Sequence, residues 1–453
     1  MYQKRYTPSE GVRDYAFIKQ ALHTGKKAIQ IYIAENQDQE EIHIKIFSPQ
    51  YFLSLADTFP VLENMGLSIQ SEHSIQLGEA STCVWLHHFI AVRHYQSGTT
   101  FARVEENFKK VLTDVFDDTL ENDRFNCLAL SGNASERHIL LMRAYYAYMR
   151  QVGWPHTRAS VVPVLEKYPF VLKNLKDLFY ARFDPQSTGD EAHLIRETES
   201  LLAAIESAEE EMVFARMVSL ILATERTNYF QKTNNGKHKP YVSLKIKAGD
   251  LKLIEGHKGF YEIFVYAPDV EGIHLRSGAV ARGGIRWSDR RSDYRREVMD
   301  LMRAQFVKNA VIVPMGAKGG FYVKKNLSGL SFDARSEIGV AAYKTFVSGL
   351  LDVVDNRTDK GAIAPDDTVV HGAEDAYLVV AADKGTATFS DTANALSIDH
   401  NFLVRRCFFA SGDHRDMTIK NGDYISGCLG ICEATFSRIK HINGDPFHRC
   451  RCG

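Results

Sequence analysis

Long apolar runs, a secretory leader and an excess of charge of either sign are all missing from this chain of 453 residues. Its most apolar stretches, such as Met217-Val-Ser-Leu-Ile-Leu-Ala223, fall short of the roughly 18–20 residues that a bilayer crossing needs, so no membrane partner is expected. The first residues, Met-Tyr-Gln-Lys-Arg-Tyr-Thr-Pro, hold no apolar leader core, which predicts a cytoplasmic protein without disulfides. The 55 Lys+Arg residues balance 56 Asp+Glu, which argues against a nucleic-acid partner and for small molecules or further copies of the chain. No G-x-G-x-x-G occurs, so a Rossmann domain is expected to be absent from these residues.

Cysteine is nearly absent from the first 406 residues, where Cys83 and Cys127 stand alone, yet Cys407, Cys428, Cys432, Cys450 and Cys452 crowd the end. With His441 and His448 these offer enough ligands for zinc, but their spacing fits no regular zinc module, and no metal is expected.

Patterning divides the chain. Ala28-Ile-Gln-Ile-Tyr-Ile33 and Ile42-His-Ile-Lys-Ile-Phe47 alternate like half-buried strands. A helix over Leu53 to Asn64, stopped by Gly66, and strand-like Leu67-Ser-Ile-Gln70 and Cys83-Val-Trp-Leu86 complete a small α/β unit of ACT-like type within 1–95. Helical periodicity at 101–115, 137–152, 165–179 and 199–223 marks a helical domain over 96–235. Beyond it, strand runs at Val242-Ser-Leu-Lys-Ile246 and Glu262-Ile-Phe-Val-Tyr266 and helices at 292–308 and 333–352 predict an α/β domain over 236–400.

The chemistry concentrates in that last domain. Ser292 is expected to cap a helix in which Tyr294, Val298, Leu301, Gln305 and Lys308 share one stripe, so Lys308 needs an anion or an exit to water. Lys318 follows the strand-like Ala310-Val-Ile-Val-Pro-Met315 in a predicted glycine-rich turn. A lysine desolvated beside other cations gives up its proton more readily and works as a general acid or base near neutral pH; the competing reading is a solvated surface lysine. Gly-Ala-Lys-Gly-Gly lacks the spacing and the hydroxyl of a phosphate-binding P-loop. Asp383 ends an apolar strand, as site carboxylates of α/β domains do, and as turn residues also do. With Arg282 and Arg286 these residues make four cations and one carboxylate, suited to a dianionic substrate carrying an amine or a carbonyl.

These segments, together with Glu121-Asn-Asp-Arg-Phe-Asn126, Glu225-Arg-Thr-Asn-Tyr-Phe230, Ala281 through Lys324, and Val379 through Asp391, resemble the large-subunit class of bacterial NAD-specific glutamate dehydrogenase over about residues 1–400. The resemblance implies oxidative deamination of L-glutamate to 2-oxoglutarate and ammonia with NAD, a homo-oligomer, and 236–400 as the substrate domain. It implies that Lys318 activates water and stabilises the carbinolamine, that Asp383 shuttles a proton to the nitrogen, and that Lys308 binds the α-carboxylate. Arg282 stands before Gly283 and Gly284, where the wider superfamily has a lysine for the side-chain carboxylate, and Arg286 completes the substrate-binding set.

Members of that family are far longer than this chain, so the resemblance also implies a fragment, inactive alone for want of its NAD domain. The segment 401–453 is expected to be a frameshifted tail. Suitable codons for Gly427–Ser437, read one base later, give Gly-Ala-Trp-Glu-Ser-Val-Lys-Arg-His-Phe, and Phe447–Gly453 likewise gives Phe-Thr-Val-Val-Gly-Val-Gly, both similar to family text. Competing expectations are a non-catalytic regulatory protein that senses an amino acid through residues 27–95, and an unfolded pseudogene product.

Overall fold

In the computed structural model the described residues are 2–36, 39–79, 82–94, 100–251, 261–278, 281–308, 315–358, 361–376, 378–386 and 388–400. The chain forms two compact units, Met1–Leu222 and Ala223–Gly453. Among the described residues no helix is long and apolar enough to cross a membrane.

The first unit opens with helix α1 (Pro8–Thr24), which the periodicity reading missed although its signal is local. Thr7 and Glu10 form a reciprocal capping box with Pro8 in the first turn. Strands β1 (Ala28–Asn36) and β2 (Gln39–Pro49), helix α2 (Leu55–Asn64), and strands β3 (Leu67–Leu77) and β4 (Val84–Arg93) follow. The four strands pair antiparallel in the order β1-β2-β4-β3. The last two run well beyond the four-residue stretches expected, because alternation continues through polar Ser, Glu and His. Lys45 of β2 is buried, with its ammonium 2.9 Å from the buried Asp14 carboxylate of α1.

The helical part contains α3 (Phe101–Phe116), α4 (Leu128–Ser131), α5 (Glu136–Gln151), α6 (Arg158–Lys167), α7 (Pro169–Phe183), α8 (Glu191–Ala203) and α9 (Ala208–Ala223). Two expected long helices are each divided. The 165–179 helix breaks at Tyr168, because Pro169 has no amide hydrogen and opens a new helix instead. The 199–223 helix breaks at 204–207, where Ser207 starts a new turn by accepting from the Glu210 and Glu211 amides through its hydroxyl and its carbonyl.

The second unit carries β5 (Thr224–Thr227), β6 (Val242–Lys247), β7 (Tyr261–Tyr266), β8 (Val270–Arg276), β9 (Ala281–Ser288), α10 (Tyr294–Lys308), β10 (Met315–Val323), α11 (Phe332–Leu351), β11 (Asn356–Thr358), β12 (Gly361–Ile363), β13 (Val379–Ala382) and α12 (Ser390–Asp399). Seven strands form one mixed sheet in the order β13-β9-β10-β8-β7-β6-β5, with β9 parallel to both β13 and β10 and the remaining pairs antiparallel. One face packs on α11 through Ile263, Ile285, Phe321, Tyr343, Phe346 and Val347. The period of two places Lys318, Gly320, Arg286 and Arg282 on the other face, toward α10, where a Cβ on Gly320 would stand 2.6 Å from Val298.

Candidate active site

Three neighbouring strands bring the chemistry together. Gly320 pairs with Arg286 across β10 and β9, and Ala382 pairs with Ile285 across β13 and β9. Arg286, Lys318 and Asp383 therefore meet at one level of the sheet, although they lie 97 and 65 residues apart as Arg286–Asp383 and Lys318–Asp383 pairs. Lys318 stands inside β10, not in the turn the glycines suggested. The run 310–314 lies outside the described residues, and Gly319 and Gly320 serve close packing: a Cβ on Gly319 would lie 3.1 Å from both His274 and Ile285. Gly283 is needed for the same kind of reason, since a Cβ there would fall 1.5 Å from the Ala317 carbonyl oxygen. Gly284 is buried in β9 opposite Ala381.

The Lys318 ammonium lies 3.3 Å from Asp383 Oδ2. The other carboxylate oxygen, Oδ1, accepts from the Lys384 amide at 2.7 Å and from Arg286 Nη2 at 3.3 Å. The second arm of Arg286, Nη1, reaches Glu297 Oε1 at 2.9 Å, and Ser288 donates to Glu297 Oε2 at 2.7 Å. Glu297 sits on α10 and was not singled out in the sequence; its spacing from Arg286 and Ser288 is a loop-and-helix distance that carries no periodic signal. Asp383 opens a turn closed by Thr386, whose hydroxyl accepts from the Asp383 amide at 3.0 Å and donates to the Ile285 carbonyl at 2.8 Å. Gly385 completes that turn at φ 82°.

Burial of Asp383 works against its ionisation. The Lys384 amide, Lys318 and Arg286 outweigh that penalty and hold the carboxyl below the usual carboxylate range. Asp383 is thus ionised at neutral pH. Both Lys318 and Asp383 keep about a fifth of the side chain exposed, 22% and 21%, so a small molecule can reach the pair.

Arg282 is exposed on the same face, its position in β9 paired with Gly316, roughly two residue steps from Lys318 along β10. Lys308 ends α10, and its side chain lies outside the described residues, as does that of Gln305. Of the expected stripe, Tyr294 and Val298 are buried and Leu301 is half-buried, while Arg295, Met299 and Met302 complete the buried face. The helix begins at Tyr294 rather than at Ser292, with the Asp293 carbonyl accepting from the Glu297 amide. A cavity of about 710 Å³ opens beside the site at the ends of these strands, lined by Trp287, Ser288, Lys324, Leu327, Arg335 and Lys384 among others, but by neither Lys318 nor Asp383. Among the described residues no group of His, Cys, Asp and Glu is placed to hold a metal ion, and the clustered cysteines from Cys407 onward lie outside the described residues.

Comparison with known proteins adds independent findings. The family profile described as bacterial NAD-glutamate dehydrogenase, catalytic domain, matches residues 197–426. The match runs past His400, where the sequence reading ended the resemblance. Profiles for glutamate dehydrogenase helical motif 3 and for its ACT3 domain match residues 120–185 and 26–103. Proteins named NAD-specific glutamate dehydrogenase from Halomonas elongata and Pseudomonas aeruginosa are 36% and 35% identical over 426 and 432 residues, each covering 92% of this chain and 26% of the relative. A protein of the same name from Mycobacterium tuberculosis is 35% identical over 443 residues, covering 92% of this chain and 27% of its own. The chain thus spans about a quarter of the length of the relatives it matches.

Proposed function

Since the chain belongs to the bacterial NAD-glutamate dehydrogenase family, we propose that it carries the substrate-handling site for oxidative deamination of L-glutamate, in which glutamate, NAD and water yield 2-oxoglutarate, ammonium and NADH. The observation that carries this reading is the Lys318–Asp383 pair at 3.3 Å, open to solvent and set among cations. An ammonium and a carboxylate at that separation set a proton donor and a proton acceptor side by side, as general acid–base chemistry at an amine-bearing carbon requires. Lys318 activates the water that attacks the imino carbon and then stabilises the carbinolamine oxygen. Asp383 carries the proton to and from the nitrogen. Arg282 on the same face supplies a guanidinium for a substrate carboxylate, and Lys308 supplies the ammonium for the second.

NAD, when bound, takes the hydride from the α-carbon. Among the described residues there is no glycine-rich strand-to-helix turn of the dinucleotide kind, so none of them is assigned to the cofactor and no step is routed through it. In this reading residues 1–95 are an ACT-like region, 96–235 a helical domain and 236–400 the substrate domain. Calorimetric titration of the purified chain with 2-oxoglutarate tests it. Binding that disappears in Lys318→Ala, with unfolding otherwise unchanged, is the expected result. Binding that survives Lys318→Ala favours an amino-acid sensor instead.

A further inference from the structure

We propose that Glu297 is a positioning residue for Asp383, acting through the guanidinium of Arg286. The proposal deepens the reading of Asp383 as proton carrier and rests on it.

Arg286 stands between two carboxylates, with Nη1 2.9 Å from Glu297 and Nη2 3.3 Å from Asp383. Glu297 is in turn fixed from its other oxygen by the Ser288 hydroxyl at 2.7 Å. The chain of contacts Ser288–Glu297–Arg286–Asp383 therefore ends on Oδ1 of Asp383, leaving Oδ2 to face Lys318. A carboxylate whose two oxygens have different partners cannot rotate without losing both. The planar fork of arginine suits this duty, because its two terminal nitrogens are held at a fixed angle. Charge balance points the same way: Lys318 and Arg286 face Asp383 and Glu297, two cations to two anions. Without Glu297, nothing anchors Nη1 of Arg286, and the guanidinium, held to Asp383 only by the 3.3 Å contact of Nη2, turns toward solvent.

Carbon-13 NMR of the chain labelled at its aspartate carboxyls reads the effect, with the Asp383 signal identified by its loss in Asp383→Asn. Arg286→Met removes a cation and raises the titration midpoint of Asp383. Glu297→Gln is expected to raise it toward the Arg286→Met value, because a neutral amide oxygen holds the guanidinium less firmly than a carboxylate does. If Glu297 acted only as a nearby negative charge, its removal would lower the midpoint. A fall or an unmoved midpoint overturns the proposal. Ser288→Ala keeps every charge and removes the hydrogen bond that fixes Glu297, so a smaller rise is expected. Should Glu297→Gln fail to fold, Ser288→Ala decides, and an unmoved midpoint there overturns the proposal. The readout needs neither turnover nor bound substrate, so its failure is distinct from a failure of Lys318 to bind 2-oxoglutarate.

Discussion

Two ion networks in the second unit use the same chemistry to opposite ends. In the first, Arg226, Lys245 and Arg276 meet Glu225, Asp355 and Asp375, all buried. Arg226 Nη2 binds Asp355 at 3.0 Å, Arg276 Nη1 and Lys245 bind Asp375 at 2.6 and 3.1 Å, and the Asp375 amide donates to Asp355 at 2.5 Å. Arg226 also reaches the Ala373 carbonyl at 2.8 Å, so the network pins the chain a few residues before β13 and hence the approach to Asp383. In the second network Lys318 and Arg286 each meet Asp383 at 3.3 Å, Arg286 meets Glu297 at 2.9 Å, and one side is open to solvent. Buried charge, once fully paired, is a fixture, whereas charge left a fifth exposed can trade its partner for a substrate.

Substitution should separate the two sharply. Asp375→Ala leaves Arg276 and Lys245 buried beside one fewer anion, and a loss of about 3–5 kcal/mol is expected in denaturant unfolding. Lys318→Ala removes one of a partly solvated pair, so its stability change stays within about 1 kcal/mol while 2-oxoglutarate binding is lost. Equal effects on stability would erase the distinction.

Acid sharpens it next. Burial opposes ionisation of Asp375, yet Arg276 and Lys245 prevail and hold its carboxyl below the ordinary range. A depressed carboxylate contributes stability that is complete above its unfolded value of about 3.9 and is lost as pH falls through the folded one. The melting temperature should therefore fall steeply below about pH 4 in the native chain, and less steeply in Asp375→Asn, which starts from a lower value.

On the alkaline side His400 gives a smaller effect of opposite sign. Its Nδ1 faces the Leu396 carbonyl at 2.9 Å and its Nε2 faces the buried Asp352 at 3.4 Å. Burial lowers its proton affinity, but Asp352 more than compensates and the imidazole is raised above its usual value. That stability is complete below about pH 6.5 and is lost as pH rises through the folded value, so His400→Gln should flatten the melting curve between those points. The smallest effect is reserved for exposed pairs such as Lys173–Asp177 on α7, where Asp177→Asn should cost no more than about 0.5 kcal/mol.

Lys318 and Asp383 were legible in the sequence because glycines around a lysine and a carboxylate after an apolar strand are local signals. The strand that holds Lys318 was not, because Gly319 and Gly320 read as a turn until the neighbours that demand them, His274, Ile285 and Val298, are in place. Glu297 escaped for a related reason: a glutamate on a helix has no mark that distinguishes solvent from a guanidinium on the sheet face that the helix covers. The buried network was invisible as well, since partners such as Arg226 and Asp355 stand 129 residues apart and each belongs to a residue type usually found outside. Proline at 169 divided a helix that periodicity alone had joined.

A crystal structure of the chain grown with 2-oxoglutarate would locate the chemistry directly. The account predicts the ligand on the α10 face of the sheet, one carboxylate near Arg282 and the carbonyl carbon between Lys318 and Asp383. Ligand bound instead in the 710 Å³ cavity beside Trp287 and Arg335, with Lys318 and Asp383 untouched, would contradict it.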